Sequence, residues 1–182
     1  MIKDYFAKSS NVISKLASHE KKINEIVKKI ISCHQKKGKI LVAGNGGSCS
    51  DAEHFVGELV CTYKSPKRKP ISAISIASLP AAFTAWSNDF EFSSVFSRQI
   101  EALSPNIGLS IGLSTSGKSE NVINALKLSN SLDIKTVLIS GDKCPKHDFV
   151  KKIFRVPSDE TSIIQTVTQI MYHSICNELE KV

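Results

Sequence analysis

Lys39-Ile-Leu-Val-Ala43, followed by Gly44-Asn45-Gly46-Gly47-Ser48, is an apolar run of strand length that breaks into a glycine-rich turn, and residues 48–62 then predict a helix. A strand, a tight turn and a helix in that order begin a βα unit. On the predicted helix His54 and Glu58 stand four residues apart and therefore share one face. An imidazole and a carboxylate stacked in this way can share a metal ion or a proton.

Working outward, further short apolar runs lie at 71–76, 108–113, 136–140 and 153–156, with longer amphipathic stretches between most of them. Strands alternating with helical stretches imply parallel pairing with helices on both faces. The expected fold class is α/β, a three-layer αβα sandwich on a five-stranded parallel sheet. Segments 4–18 and 20–36 carry apolar residues at helical spacing, among them Ile23, Val27, Ile30 and Ile31, and predict an N-terminal helical extension over about 1–36. Ile163, Ile164, Val167, Ile170, Met171, Ile175 and Leu179 form a broad stripe that predicts a long closing helix over 160–182. At 182 residues the chain is expected to fold as a single domain, 1–182.

The hydrophobic share of 41% and charged share of 23% are those of a water-soluble globular protein. No stretch approaches the ~20 apolar residues of a membrane span, so no membrane partner is expected. Charges in Met1–Lys8 interrupt any secretory signal, and the five cysteines are odd in number with no Cys-x-x-Cys pair. A cytoplasmic protein with reduced thiols follows. The net charge of +7 is spread along the chain apart from runs at 64–69 and 146–152, and few aromatics accompany them. A solvated surface is the simpler reading of this charge; an acidic partner, if present, is a phosphorylated small molecule and not nucleic acid.

Gly112-Leu-Ser-Thr-Ser-Gly117-Lys118-Ser119 satisfies the P-loop pattern G-x-x-x-x-G-K-[ST]. A nucleotide hydrolase would place that loop after the first strand and follow it with an apolar strand ending in a magnesium-binding Asp. Here it follows the third strand, and the nearest candidate, Asp142, stands beyond a glycine. The physics that survives is anion binding, because N–H groups at a helix start attract phosphate and Ser114, Thr115, Ser116 and Ser119 add hydroxyls.

The ordered set GNGGSxxDAxHFxxEL over Gly44–Leu59, Asn88-Asp89-Phe90, STSGxSxNV over Ser114–Val122, and Gln165 with His173 eight residues on resembles the bacterial phosphoheptose isomerases of the sugar-isomerase (SIS) domain superfamily. The resemblance runs from about residue 35 to the end. It implies a homotetramer that converts sedoheptulose 7-phosphate to a glycero-manno-heptose 7-phosphate, an early step toward lipopolysaccharide or capsule heptose. It further implies one zinc ion per subunit on His54, Glu58, Gln165 and His173, with Glu58 and His173 as the acid/base pair. Residues 165 and 173 lie about 80° apart around a helix and can face one site. The substrate contacts it implies are Asn45, Gly46, Gly47, Ser48, Asp89, Gln165 and the hydroxyls of Ser114, Thr115, Ser116 and Ser119. His19, His34 and His147 lack such context and read as surface residues.

The chain departs from that pattern at Thr62, where relatives often have Arg, at Ser162 for Asp, at Thr168 for His and at Lys118 for Asn. Lys64 or Lys118 could supply the missing positive charge. These differences bear on which sugar is bound. An isomerase of another phosphorylated ketose is the first alternative; a non-catalytic SIS-domain scaffold for a replication initiator is the second, and His173 argues against it.

Overall fold

The computed structural model describes all 182 residues. Five parallel strands, β1 (Lys39–Gly44), β2 (Ala73–Ser75), β3 (Ile107–Leu113), β4 (Lys135–Gly141) and β5 (Lys152–Val156), form one sheet in the order β2-β1-β3-β4-β5. The α/β sandwich expected from the alternating runs is what the chain forms, and the strand ends differ from expectation by a residue or two.

The helices are α1 (Ile2–Lys15), α2 (Glu20–Gln35), α3 (Gly47–Val60), α4 (Pro80–Asp89), α5 (Val95–Leu103), α6 (Glu120–Ser131) and α7 (Thr161–Leu179). Strand residues alternate between two apolar layers because successive side chains point to opposite faces. Ile40 and Val42 join α1, α2, α3 and α7 on one face, where Val12, Ile30, Phe55, Tyr172 and Ile175 are buried. Leu41 and Ala43 face the other layer with Val95, Phe96, Ile100 and Val122 of α5 and α6. Burial on both faces is why the strands read as unbroken apolar runs.

From β1 the chain moves outward to β2 and then returns to the other side of β1 as β3. The crevice beyond the carboxyl ends of β1 and β3 is therefore the switch point where ligands of such sheets bind. The loops leaving these two strands are the two picked out in the sequence, 44–47 and 114–119.

Two glycines make the first loop possible. At Gly46 φ is +56°, a left-handed conformation that L side chains rarely adopt. At Gly44 a Cβ would stand 2.3 Å from the Ser48 carbonyl oxygen and 2.6 Å from its carbon. Backbone in that position cannot swing aside. Gly44→Ala is expected to destabilise the fold by about 1–3 kcal/mol or more, read as a lower urea midpoint with unchanged slope; a midpoint equal to wild type would mean that the turn relaxes freely.

Candidate functional site

α3 and α7 lie side by side on the sheet and run in the same direction. Gly47 opens α3 against the Gln165 side chain, whose Nε2 would be 2.4 Å from a Cβ at position 47. Two turns on, the His54 ring meets those of Tyr172 and His173, with centroids 5.4 and 5.1 Å away. Beyond the end of α3, Arg68 pairs with Glu180, Nε to Oε1 at 3.3 Å.

Within this pair His54, Glu58 and His173 each offer one ligand atom, and the three atoms lie within 4.8 Å of one another. His54 Nε2 is 3.0 Å from Glu58 Oε1. Donors around a tetrahedral zinc ion sit about 3.3 Å apart, and two imidazoles with one carboxylate are an ordinary zinc donor set. The residues present thus fit such an ion. Gln165, the fourth ligand expected, is placed otherwise: its amide packs on Gly47, at the level of the turn, on the order of 10 Å of helix rise before His54. Three of the four groups converge, and the amide faces the glycine turn instead.

Glu58 is held from behind. Arg68, with 2% of its side chain exposed, donates from Nη2 to the Glu58 carbonyl at 2.5 Å and from Nη1 to the Leu59 carbonyl at 3.1 Å, so it satisfies the last turn of α3. Nothing in the basic run 64–69 marked Arg68 out; only its burial does. Lys64 donates to Asn177 Oδ1 at 2.7 Å, while Thr62 is exposed. Tyr172 was also hidden, inside the apolar stripe of the closing helix. Its hydroxyl lies 2.9 Å from His54 Nδ1, and burial pushes its pKa well above that of an ordinary phenol. Cys176, buried near Glu58, is pushed up to about 12 by burial and remains a thiol.

At the switch point the hydroxyl loop leads into the start of α6, an arrangement that can attract an anion. Ser114 and Ser119 exchange a hydroxyl hydrogen bond of 3.0 Å, Lys118 N–H donates to Ser116 Oγ, and Gly117 takes φ +66° against Cys144. At the start of α6, Val122 N–H donates to Asn121 Oδ1 and Ile123 N–H to the Ser119 carbonyl, both at 2.9 Å, which leaves the Glu120 and Asn121 N–H groups without an intrahelical partner at this loop's end. Thr115, Ser116, Lys118, Gly141, Lys143, Asp159 and Thr161 line a polar cleft of about 230 Å³. Lys143 is already paired with Asp159 at 2.5 Å, which leaves Lys118 as the cleft's other ammonium. His147, read as a surface residue, is half-buried and its Nε2 lies 2.9 Å from the Gly117 carbonyl.

Asn45 and Asn121 exchange two amide hydrogen bonds of 2.8 and 2.9 Å, which ties the β1 turn to α6. Asn45 therefore fixes the turn against α6. Ser48 is buried in the first turn of α3, and Gly46 and Gly47 form the turn itself. Asp89 ends α4 on the surface, where Asn88 donates to it, and α4 buries none of its residues. Gly112, part of the P-loop pattern, lies inside β3, where a Cβ would meet Val122 at 2.7 Å and Leu126 at 2.9 Å. That glycine serves helix packing, and the loop proper starts only at Ser114.

The SIS-domain family model matches residues 4–141. A phosphoheptose isomerase of Helicobacter pylori (strain P12) is 38% identical over 180 residues, which are 98% of this chain and 93% of the relative. This chain belongs to the phosphoheptose isomerase family of SIS-domain proteins. A family member from Campylobacter jejuni is 40% identical over 158 residues, covering 84% of this chain and 82% of its own. Among solved structures, a phosphoheptose isomerase from Francisella tularensis superposes with a TM-score of 0.91 at 29% identity, covering 100% of this chain and 97% of that one. The SIS match ends at β4, so α7, which carries His173, is joined to the family by the longer alignment with the Helicobacter protein.

One further carboxylate stands in this family member's α3. Burial pushes Asp51 up to about 6, and the nearby His54 only partly opposes the shift. Its unfolded value is near 4, so between pH 4 and 6 the folded protein binds the extra proton. Stability conferred by this group is complete below about pH 4 and is lost as pH rises through 6. Asp51→Asn is expected to flatten that slope, with denaturation midpoints of metal-free protein gaining on wild type between pH 4 and 7; parallel curves would show that Asp51 is well solvated.

Proposed function

We propose that this chain is an aldose–ketose isomerase that converts sedoheptulose 7-phosphate to D-glycero-D-manno-heptose 7-phosphate through an enediolate, for envelope polysaccharide. The observation that carries this reading is the His54–Glu58–His173 group on the same helix pair whose α3 starts at the glycine turn beside the hydroxyl cradle. The reaction moves one proton between neighbouring carbons and needs a base, an acid and charge stabilisation at oxygen. The phosphate is held by Ser114, Thr115, Ser116 and Ser119 with the start of α6, and Lys118 adds a positive charge. Gln165, Ser48 and Asp89 contact the sugar, and Asn45 holds the loop.

Glu58 takes the proton from C1 of the open-chain ketose and returns it to C2. His173 gives a proton to the carbonyl oxygen at C2 and takes the O1 proton in return as the aldehyde forms, so both groups end as they began. Glu58 can act as base because only Oε1 is engaged by His54, which leaves the second carboxylate oxygen. His54, Glu58 and His173 would hold zinc, with Gln165 completing the set only if its amide turns away from Gly47. Bound there, zinc would polarise the substrate carbonyl as a Lewis acid.

We take the protein to be a single domain, since Val12, Leu16 and Ile26 of the N-terminal segment share one apolar core with β1 and α7. A homotetramer is favoured by a groove of about 750 Å³ between the N-terminal helices and α7, which opens on His173, and by exposed Ile2 and Phe6. The cytoplasm suits five unpaired cysteines and a phosphorylated substrate; no helix is long and apolar enough to cross a membrane. Glu58→Gln and His173→Ala should each lower aldose formation from sedoheptulose 7-phosphate by about 10²–10⁴-fold with the assembly size unchanged. Chelation should abolish turnover and added zinc restore it. Full activity in Glu58→Gln, or no aldose from any seven-carbon ketose phosphate, would refute the reading.

A further inference from the structure

Both ring nitrogens of His54 are engaged. Nε2 faces Glu58 at 3.0 Å, within the three-residue group, and Nδ1 faces the Tyr172 hydroxyl at 2.9 Å. Two consecutive residues of α7 thus grip one ring from different sides, since neighbours on a helix point about 100° apart. His173 meets it edge-on at 5.1 Å and Tyr172 at 5.4 Å.

The two partners differ in freedom. Tyr172 is 1% exposed and stacks on Phe55 at 5.4 Å and 24°, so its hydroxyl has a fixed address. His54 has 43% of its side chain exposed. An imidazole that open would sample several rotamers unless something holds its inner nitrogen.

We propose that Tyr172 is a positioning residue of the metal centre, its hydroxyl fixing the His54 ring so that Nε2 is presented to a zinc-class ion. This rests on the zinc reading of His54, Glu58 and His173. Proton placement explains why a hydroxyl serves. A carboxylate only accepts hydrogen bonds, so in the neutral ring Nε2 carries the hydrogen toward Glu58, and Nδ1 accepts from the tyrosine O–H. When an ion takes the Nε2 lone pair, the ring keeps one hydrogen but carries it on Nδ1, and now donates to the tyrosine oxygen. The phenol hydrogen then rotates away from the ring about its C–O bond. No proton is gained or lost by the pair, and no rotamer changes. A hydroxyl can take both roles in place; a backbone carbonyl or amide N–H can take only one.

Tyr172→Phe in the full-length protein keeps the ring and deletes the oxygen. Zinc affinity, measured against a competing chelator, is expected to fall about 10–100-fold. In metal-free protein the Nε2–H tautomer is expected to persist, because Glu58 still accepts from it, while the His54 Nδ1 ¹⁵N signal moves and broadens as it loses the tyrosine hydrogen bond. A residue that merely packs would move the melting temperature and neither of these. Zinc affinity equal to wild type, or unchanged His54 nitrogen shifts, would overturn the assignment. His54→Ala separates the two levels of the argument. If it leaves zinc binding intact, the metal reading itself fails and the proposal with it; if it abolishes binding while Tyr172→Phe binds normally, only the role of Tyr172 falls.

Discussion

Gly47 has no side chain, and the space one would fill belongs to Gln165, with Nε2, Cδ and Oε1 all within 3.0 Å of where a Cβ would be. That contact sets how closely and in what register α7 lies on α3. Both helices then advance together at 1.5 Å per residue, so the register at 47 and 165 decides what stands opposite His54. Slipping α7 by one residue would rotate it by about 100° and carry both Tyr172 and His173 off the ring they grip. The Arg68–Glu180 pair closes the far end of the same alignment, tying the last carbonyls of α3 to the foot of α7. The His54–Glu58–His173 group is therefore a product of helix packing and does not depend on a flexible loop.

The second feature of the site has a different origin. The cradle at 114–119 owes its position to sheet topology, since β3 is central and lies beside β1 where the strand order reverses. Its closeness to the sheet depends on the small residues of β3. Gly112 lets Val122 and Leu126 approach, and the Ser129 hydroxyl donates to Ser110 Oγ at 2.8 Å on the same face. α6 is thereby drawn down so that its N-terminus aims at the crevice. Hydroxyls and aligned N–H groups with few cations would make a weaker anion trap than a P-loop lysine with magnesium, one that suits the phosphate proposed there, held and never transferred.

Much of this was legible in the chain. Strands buried on both faces announce themselves as apolar runs, and the turn at 44–48 is punctuated by glycines, so the sandwich and both loops could be read directly. His54 and Glu58 were legible because i,i+4 spacing is a property of one helix. What could not be read is anything that depends on how two helices face each other. Gln165 and His173 share a helix face, yet which one reaches His54 is settled by the close approach at Gly47. Tyr172 sits in an apolar stripe, where an aromatic ring reads as core, and its ring is indeed core; only its hydroxyl is not. Arg68 lies in a basic run that reads as solvated surface, while burial against two carbonyls and Glu180 gives it another task.

One consequence concerns water. An enediolate forms more readily where water is excluded and each nearby charge acts at lower dielectric, yet His54 is 43% exposed and the groove beside His173 is wide. A single subunit thus supplies the donors but not the enclosure. The groove walls are mixed, with Ile13, Leu16, Ile23 and Ile170 beside Glu20, Lys64 and Asn177, a composition closer to an interface between folded surfaces than to a purely apolar ligand pocket. Covering by another copy of the chain, as in the tetramer proposed, would desolvate the acid/base pair with no change in its geometry. The helix pair would then set the positions of the reacting groups, and assembly would set the dielectric in which they work.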